Sequence, residues 1–567
     1  MTTITRFRSL ISLCLLLGAI PGCRQEVANA PQADTTAPQA AAAPAPAEAA
    51  APRLEGLGDA HHHAITAASP EAQAFFDQGL RLIYAFNHDE ATRAFQECTR
   101  LDPNAAMCFW GIALAAGPNY NSALDPVRDK RAYEAIQKAR ALSPKASADE
   151  RDYIEVLAVR HTSDAPTERQ ALDQAYADAM RGLAKRHPDD LDAQTLFAES
   201  MMDLRPWDLY DLEGVPRPGT EEVVATLESV LARNPQHPGA NHYYIHAVEA
   251  SKTPERGLPN ADRLGGITPG AGHLVHMPSH IYMRVGQYDQ ATVANEKAVE
   301  ADRAYIEKAK PTGEYVMMYV PHNIDFLWAA ASMDGQSKKA LKAARDVAAN
   351  TPPEMIRQMP MLEAIGASPL YVMARFGQWD AILTEPAPPK DLVFWNGLSH
   401  YARGLAYTRK GQLGEAESEA KALTEAVNTV PPDQIIMQVN LAKTLLELAS
   451  HELAGEIADA QGKTDVAVRE LREAVKLQDG LRYMEPPPWY FPVRQALGAV
   501  LLKSGNATDA EAVYREDLAR NPENGWALYG LEQSLRAQKK TQEAQAVHDR
   551  FEKAWSRADV KLASSRF

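Results

Sequence analysis

Six of the chain's histidines, His242, His246, His273, His276, His280 and His322, fall in three short stretches. The first runs from Asn241 to Glu249 and holds His242 and His246. Side chains four positions apart stack on one helix face, so His242, His246 and, one turn on, Glu249 project together. Imidazoles at this spacing offer two nitrogens to a divalent transition metal, and a carboxylate beside them supplies a further ligand or a general base. The second stretch runs from Gly272 to His280 at a helix entrance. Pro278 pushes the residue before it toward extended geometry, which predicts that His276 and His280 do not share a face. The third, Pro321 to Asp325, puts His322 at the start of a helix. Packing several imidazoles together costs desolvation and, below neutral pH, mutual repulsion unless a metal or an acid offsets it. The candidate ligands of a zinc, copper or iron ion are therefore His242, His246, His276, His280 and His322, with Glu249 as the candidate catalytic residue. The other reading of the same residues is a hydrogen-bonded polar core joining two irregular units.

The elements that must carry these residues follow from a recurring spacing. One copy runs Phe75, Gly79, Leu82, Ala91, Phe95, Cys98, Pro103; another Gly404, Tyr407, Ala416; a third Gly498, Leu501, Ala510, Tyr514, Pro522. This pattern resembles the tetratricopeptide superfamily over about residues 69–557. The resemblance implies units of about 34 residues, each a helical hairpin that must stack on its neighbours to bury its apolar face. The expected fold is all-α, a right-handed α-solenoid of tetratricopeptide-like hairpins with an irregular His-rich middle. Strand-like alternation of Val, Ile and Thr is missing, so essentially no sheet is expected. First helices of adjacent units line one concave wall, which lets the three histidine stretches converge although His242 and His322 are about 80 residues apart.

The first unit opens with Ser69 as N-cap, Pro70 at the first helical position and Glu71 in the first turn. A polar insertion spans Gly117 to about Asp129, an irregular Trp- and Pro-containing stretch spans Arg205 to Pro218, and Gly265, Gly266, Pro269, Gly270 and Gly272 read as a loop. His61, His62 and His63 have a metal-chelating composition. His88 reads as a cap at a hairpin turn, and Glu485 to Pro492 as a rigid packing segment in which Trp489 could touch a peptide.

At 567 residues the chain exceeds a single compact core, but a solenoid grows by adding units. Its net charge of -15, with no Lys/Arg cluster to relieve it, argues against nucleic acid. Arg6 and Arg8 precede an apolar run from Leu10 to Ile20, the make-up of a secretory signal. It ends in Ile20, Pro21, Gly22, Cys23, which resembles the bacterial lipobox. That resemblance implies lipidation of Cys23 and anchoring by acyl chains, each buried methylene contributing roughly 0.8 kcal/mol. Arg24 fits the outer membrane, periplasmic side. The expected organisation is a signal peptide over 1–22, a lipidated Cys and Ala/Pro-rich tether over 23–68, an N-terminal array with insertions over 69–320, and a C-terminal array with a capping helix over 321–567. Cys98 and Cys108 are expected as packing residues, with a disulfide as the alternative.

Phosphate-loop, dinucleotide, H-E-x-x-H and G-x-S-x-G motifs are missing. His61 to His63, Phe86 to His88, Gly111 to Asn121 and the His-rich segments are similar to a bacterial exported subgroup of these repeats, a similarity that implies no reaction. The superfamily implies a protein or peptide partner in the groove. Ordinary peptide-clamping repeats carry Asn, Lys and Arg there, and histidine departs from that. The expectation is thus a membrane-tethered periplasmic protein that binds a peptide or protein partner in its groove and carries a His-lined metal site. The alternative is a metal-dependent enzyme using the His/Glu cluster for hydrolytic or redox chemistry.

Overall fold

The computed structural model describes residues 50–122, 126–163 and 169–567; the signal-like run, Cys23 and the tether through residue 49 lie outside them. The described chain is an all-α solenoid built largely of antiparallel helical hairpins packed on their neighbours. The first hairpin shows why. Ser69 caps Pro70–Tyr84 by accepting the Ala72 amide, and Asn87 caps His88–Leu101 by accepting that of Glu90. Phe95 then wedges between Gly79 and Gly111, where an added Cβ would come within 2.5 and 2.4 Å of its ring. Tyr514 sits the same way between Gly498 and Gly530, at 2.5 and 2.2 Å. These small-to-large contacts are the physical content of the repeat spacing, because they let neighbouring helices approach closely.

Regular hairpins return after the middle, in Val320–Met333 with Ser337–Asn350, Val393–Arg409 with Leu413–Thr429, Ala442–Ala460 with Thr464–Asp479, Val493–Lys503 with Ala507–Arg520, and Gly525–Ala537 with Thr541–Ala554. One small sheet departs from the all-helical expectation: Ile435–Ile436 pairs antiparallel with Asn440–Leu441 around a turn whose Met437 and Gln438 have positive φ.

Four further expectations are corrected. Cys98 and Cys108 are joined in a disulfide between successive helices, with Cα atoms 5.7 Å apart. His88 is no cap: Asn87 fills that role, and the buried His88 donates Nδ1–H to the Ala115 carbonyl. Gly265 and Gly266 are helical, inside Leu258–Ile267, because the helix ends only at Thr268. Part of the tether is a packed strap. Residues 53–68 lie along the first units, with the Thr66 amide on Glu150, the Ala68 amide on Asp102, and the Gly270 amide on the Gly56 carbonyl.

The irregular middle comprises Pro238–Glu249, Leu258–Ile267, Gly272–His276, Pro278–Val285, Tyr288–Ala309, a π-helical turn Tyr315–Tyr319, and Val320–Met333. The apolar interior has two large parts, and they meet on this last helix. Phe326, Ala330 and Met333 belong to the first; Leu327, Trp328 and Ala331 belong to the second.

Candidate metal centre

His237 caps the Pro238–Glu249 helix by accepting the Ala240 amide at Nδ1, and Pro238 follows at the first helical position. The cap fixes the helix start, so His242 and His246 stack with ring centroids 4.9 Å apart. His242 donates Nδ1–H to the Tyr84 carbonyl at 2.7 Å, and His246 donates Nδ1–H to Glu249 Oε1 at 2.8 Å. A carbonyl and an ionised carboxylate only accept, so both rings keep the Nε2 lone pair free. Neither Nε2 has a partner, and both are buried.

His276 and His280 come together, against the expectation from Pro278. Met277 keeps right-handed helical angles, φ -51° and ψ -34°, so Gly272–His276 runs on into Pro278–Val285 with only a shared joint. Packing against Tyr288–Ala309 outweighs the local pre-proline preference. His273, His276 and His280 thus form a stripe at three- and four-residue spacing. Asn295 donates its amide N–H to the Ala291 carbonyl, which turns its oxygen toward His276 Nδ1 at 2.6 Å. His280 Nδ1 donates to Glu249 Oε2. With both Nδ1 atoms protonated, the two Nε2 lone pairs face each other at 2.9 Å. Two lone pairs so placed repel unless a proton or a cation lies between them. The separation approaches the roughly 3.3 Å expected for two nitrogens about 2.0–2.1 Å from a tetrahedral ion.

His322 completes the arrangement, its ring 4.7 Å from that of His276 and 5.9 Å from that of His280. It reaches them because the π-helical turn precedes its helix, and such turns occur at functional sites. All five proposed ligands therefore converge. His273, which the sequence reading left out, sits among them, 5.0 Å from His242 and 5.5 Å from His276, and neither of its ring nitrogens has a partner. Each such buried polar atom costs about 1–3 kcal/mol when left unsatisfied. Burial and neighbouring rings hold His242, His273 and His276 well below the ordinary imidazole range, and push His322 down to about 3. Neutral imidazole is the form that binds metal.

Glu249 has a different place from the catalytic one expected. Burial raises its carboxyl, but the facing His280 and His246 rings outweigh this and hold it at about 2. Both oxygens are occupied by imidazole N–H groups, so Glu249 orients the His246 and His280 rings and has no free oxygen to act as a base.

Beside the cluster lies a pocket into which His246, His273, His280 and His322 open. Its walls are mainly apolar, with Trp207, Met318, Tyr319, Met361, Ile365 and Met484, while Asn121, Glu314 and Gln438 add polar groups. Glu485 closes one side: it is 2 % exposed, accepts the Tyr483 hydroxyl at Oε1, and leaves Oε2 without a partner. Burial pushes its carboxyl up to about 8, so it carries a proton at neutral pH. Sequence reasoning placed Glu485 at the head of a packing segment and gave it no part in a site. Trp489 in that segment is buried, with its indole on Glu452.

His61 and His63 form a second cluster with His237 around Asp192. Asp192 accepts from His61 Nε2 at 2.9 Å, His63 Nδ1 at 2.8 Å, His237 Nε2 at 3.1 Å and the Tyr84 hydroxyl at 2.5 Å. The carboxylate is saturated. His237 also accepts at Nδ1, so its Nε2 must keep its proton and cannot bind metal without forming imidazolate. This cluster is a clamp that holds the strap. His62 pairs with Asp77 outside it.

No family model matches the chain, and no curated protein matches it. Similar solved structures include a human IFIT1 dimer with m7Gppp-AAAA, 12% identical over 86% of this chain and 91% of that one, with a TM-score of 0.34. The Cut9-Hcn1 hetero-tetramer of the APC/C is 13% identical over 82% and 76%, with a TM-score of 0.31. The P58(IPK) TPR domain is 12% identical over 83% and 99%, with a TM-score of 0.21. At these scores nothing about a ligand of this chain follows from them.

Proposed function

We propose that this chain is a metal-dependent enzyme on a tetratricopeptide-like scaffold, acting on a small, largely apolar molecule in the pocket beside its imidazole cluster. The observation that carries the reading is the opposed Nε2 pair of His276 and His280, 2.9 Å apart with both Nδ1 positions committed as donors. An all-imidazole donor set suits zinc, copper or iron and does not suit magnesium or calcium. Such an ion supplies Lewis acidity or, as copper or iron, an exchangeable electron. The protein's own groups do the rest. Asn295, Glu249 and the Tyr84 carbonyl fix the ring tautomers, the methionine and aromatic walls exclude water, and Glu485 presents a proton at Oε2 to a bound substrate.

The alternative, a groove that holds a peptide, has the architecture of stacked hairpins in its support. Export and anchoring through Cys23 remain part of the reading, and the Cys98–Cys108 disulfide suits an oxidising compartment. The net charge of -15 favours a ligand other than a polyanion.

Metal analysis of the purified chain tests the proposal. Stoichiometric zinc, copper or iron is expected, lost in the His246→Ala, His280→Ala double variant. A chain that takes up none of these ions, and whose melting temperature none of them changes, refutes it.

A further inference from the structure

We propose that the imidazole cluster holds two transition-metal ions side by side, each in its own triad of histidines; the proposal rests on the metal-binding reading above. His242, His246 and His273 bring one ligand atom each within 4.8 Å of one another, and His276, His280 and His322 do the same. A single ion cannot satisfy both sets. Placed between His276, His280 and His322, it leaves His242 Nε2, His246 Nε2 and both His273 nitrogens buried without partners. Placed in the first triad, it leaves the opposed lone pairs of His276 and His280 unrelieved.

The two triads also adjoin. Rings that face each other across the divide, His246 with His280 and His273 with His276, have centroids 5.4 and 5.5 Å apart, inside the span of 4.7 to 6.5 Å found between rings within the triads. Glu249 spans the divide, with Oε1 on His246 of the first triad and Oε2 on His280 of the second. One carboxylate thereby orients a ring on each ion. Phe86 packs at 4.5 Å on His242 of the first triad, and Phe326 at 4.8 Å on both His276 and His280 of the second, so each has its own apolar wall.

Charge narrows the metal. Among the described residues, Glu249 is the only carboxylate in ion-pair contact with these six rings. Two divalent ions would bring four positive charges against that carboxylate and the Glu314 and Glu485 carboxyls of the adjoining pocket, and their mutual repulsion in a buried site is large. Two monovalent copper ions leave a much smaller excess, and imidazole suits copper. The pair is therefore assigned as copper, bound in the reduced state.

The test loads the full chain with copper under reducing conditions, removes unbound metal, and measures copper per chain. Two equivalents are expected in the wild type, and one each in His242→Ala and in His322→Ala. X-ray absorption of the loaded wild type should show a nitrogen shell with a neighbouring copper, a readout that does not depend on either variant folding. One equivalent in the wild type overturns the pair and leaves a single-ion centre standing. Two equivalents of zinc in a chain that rejects copper overturn the copper assignment. No uptake of zinc, copper or iron overturns this proposal together with the metal-binding reading.

Discussion

Glu249 shows how a single side chain is recast by its neighbours. By spacing it belongs to the His242–His246 face and looks like a ligand or base, yet both oxygens serve imidazole N–H groups. A residue in that role tunes and orients, and its loss typically lowers metal affinity by about 10–100-fold. Glu249→Gln keeps the shape but can accept with only one oxygen, so metal affinity should fall within that range while helix content is unchanged. Competition with a chelator of known affinity, read beside circular dichroism, checks this. An unchanged affinity would return Glu249 to the status of a bystander. His63 carries a second residue-scale expectation. Burial lowers its pKa, but the hydrogen bond and charge of Asp192 outweigh this and raise it to about 8. The folded state therefore binds a proton more tightly than the unfolded one, with its ordinary value near 6.5. The clamp's contribution is full below pH 6.5 and is lost as pH rises through 8, up to about 2 kcal/mol. The melting temperature should fall across that window in the wild type, and His63→Gln should flatten the decline.

At the scale of elements, the hairpins were legible because their information is local. Ser69, Pro70 and Glu71 announce a helix start, and Gly79 with Phe95, or Gly498 with Tyr514, announce a close crossing. The pair His242 and His246 was legible for the same reason. What escaped depends on partners far along the chain. Helical continuity through Met277 and Pro278 is enforced by the Tyr288–Ala309 helix, and without it His273 could not be seen to join His276 and His280 on one stripe. The strap is held in part by Asp192, whose place beside His61 and His63 no spacing reveals. The π-helical turn at Tyr315–Tyr319 has no sequence mark either. It reconciles two demands: Tyr315 must reach Asp302 with its hydroxyl at 2.8 Å, while His322 must face His276. An ordinary α-turn there would rotate one of them away from its partner.

At the scale of the whole molecule, the cluster sits where the two large apolar interiors meet. The histidines come from residues before Met333, whereas Met361, Ile365, Met484 and Glu485 of the pocket wall come from short turns and a loop between the later hairpins. Metal binding should therefore stabilise both halves together. At a free metal concentration a hundredfold above Kd the gain is about 2.7 kcal/mol, so thermal unfolding should remain one transition and move upward by some degrees. Calorimetry with and without metal checks this, and a shift confined to a separate early transition would contradict it. The helix Val320–Met333 gives the arrangement a last consequence, since its two sides belong to different interiors. A polypeptide that has coiled only its earlier repeats would present its imidazoles in an open cleft, where ions exchange freely with scavengers. Were metal bound as proposed, its retention would mark completed assembly, and an incompletely folded copy would release it to the surroundings.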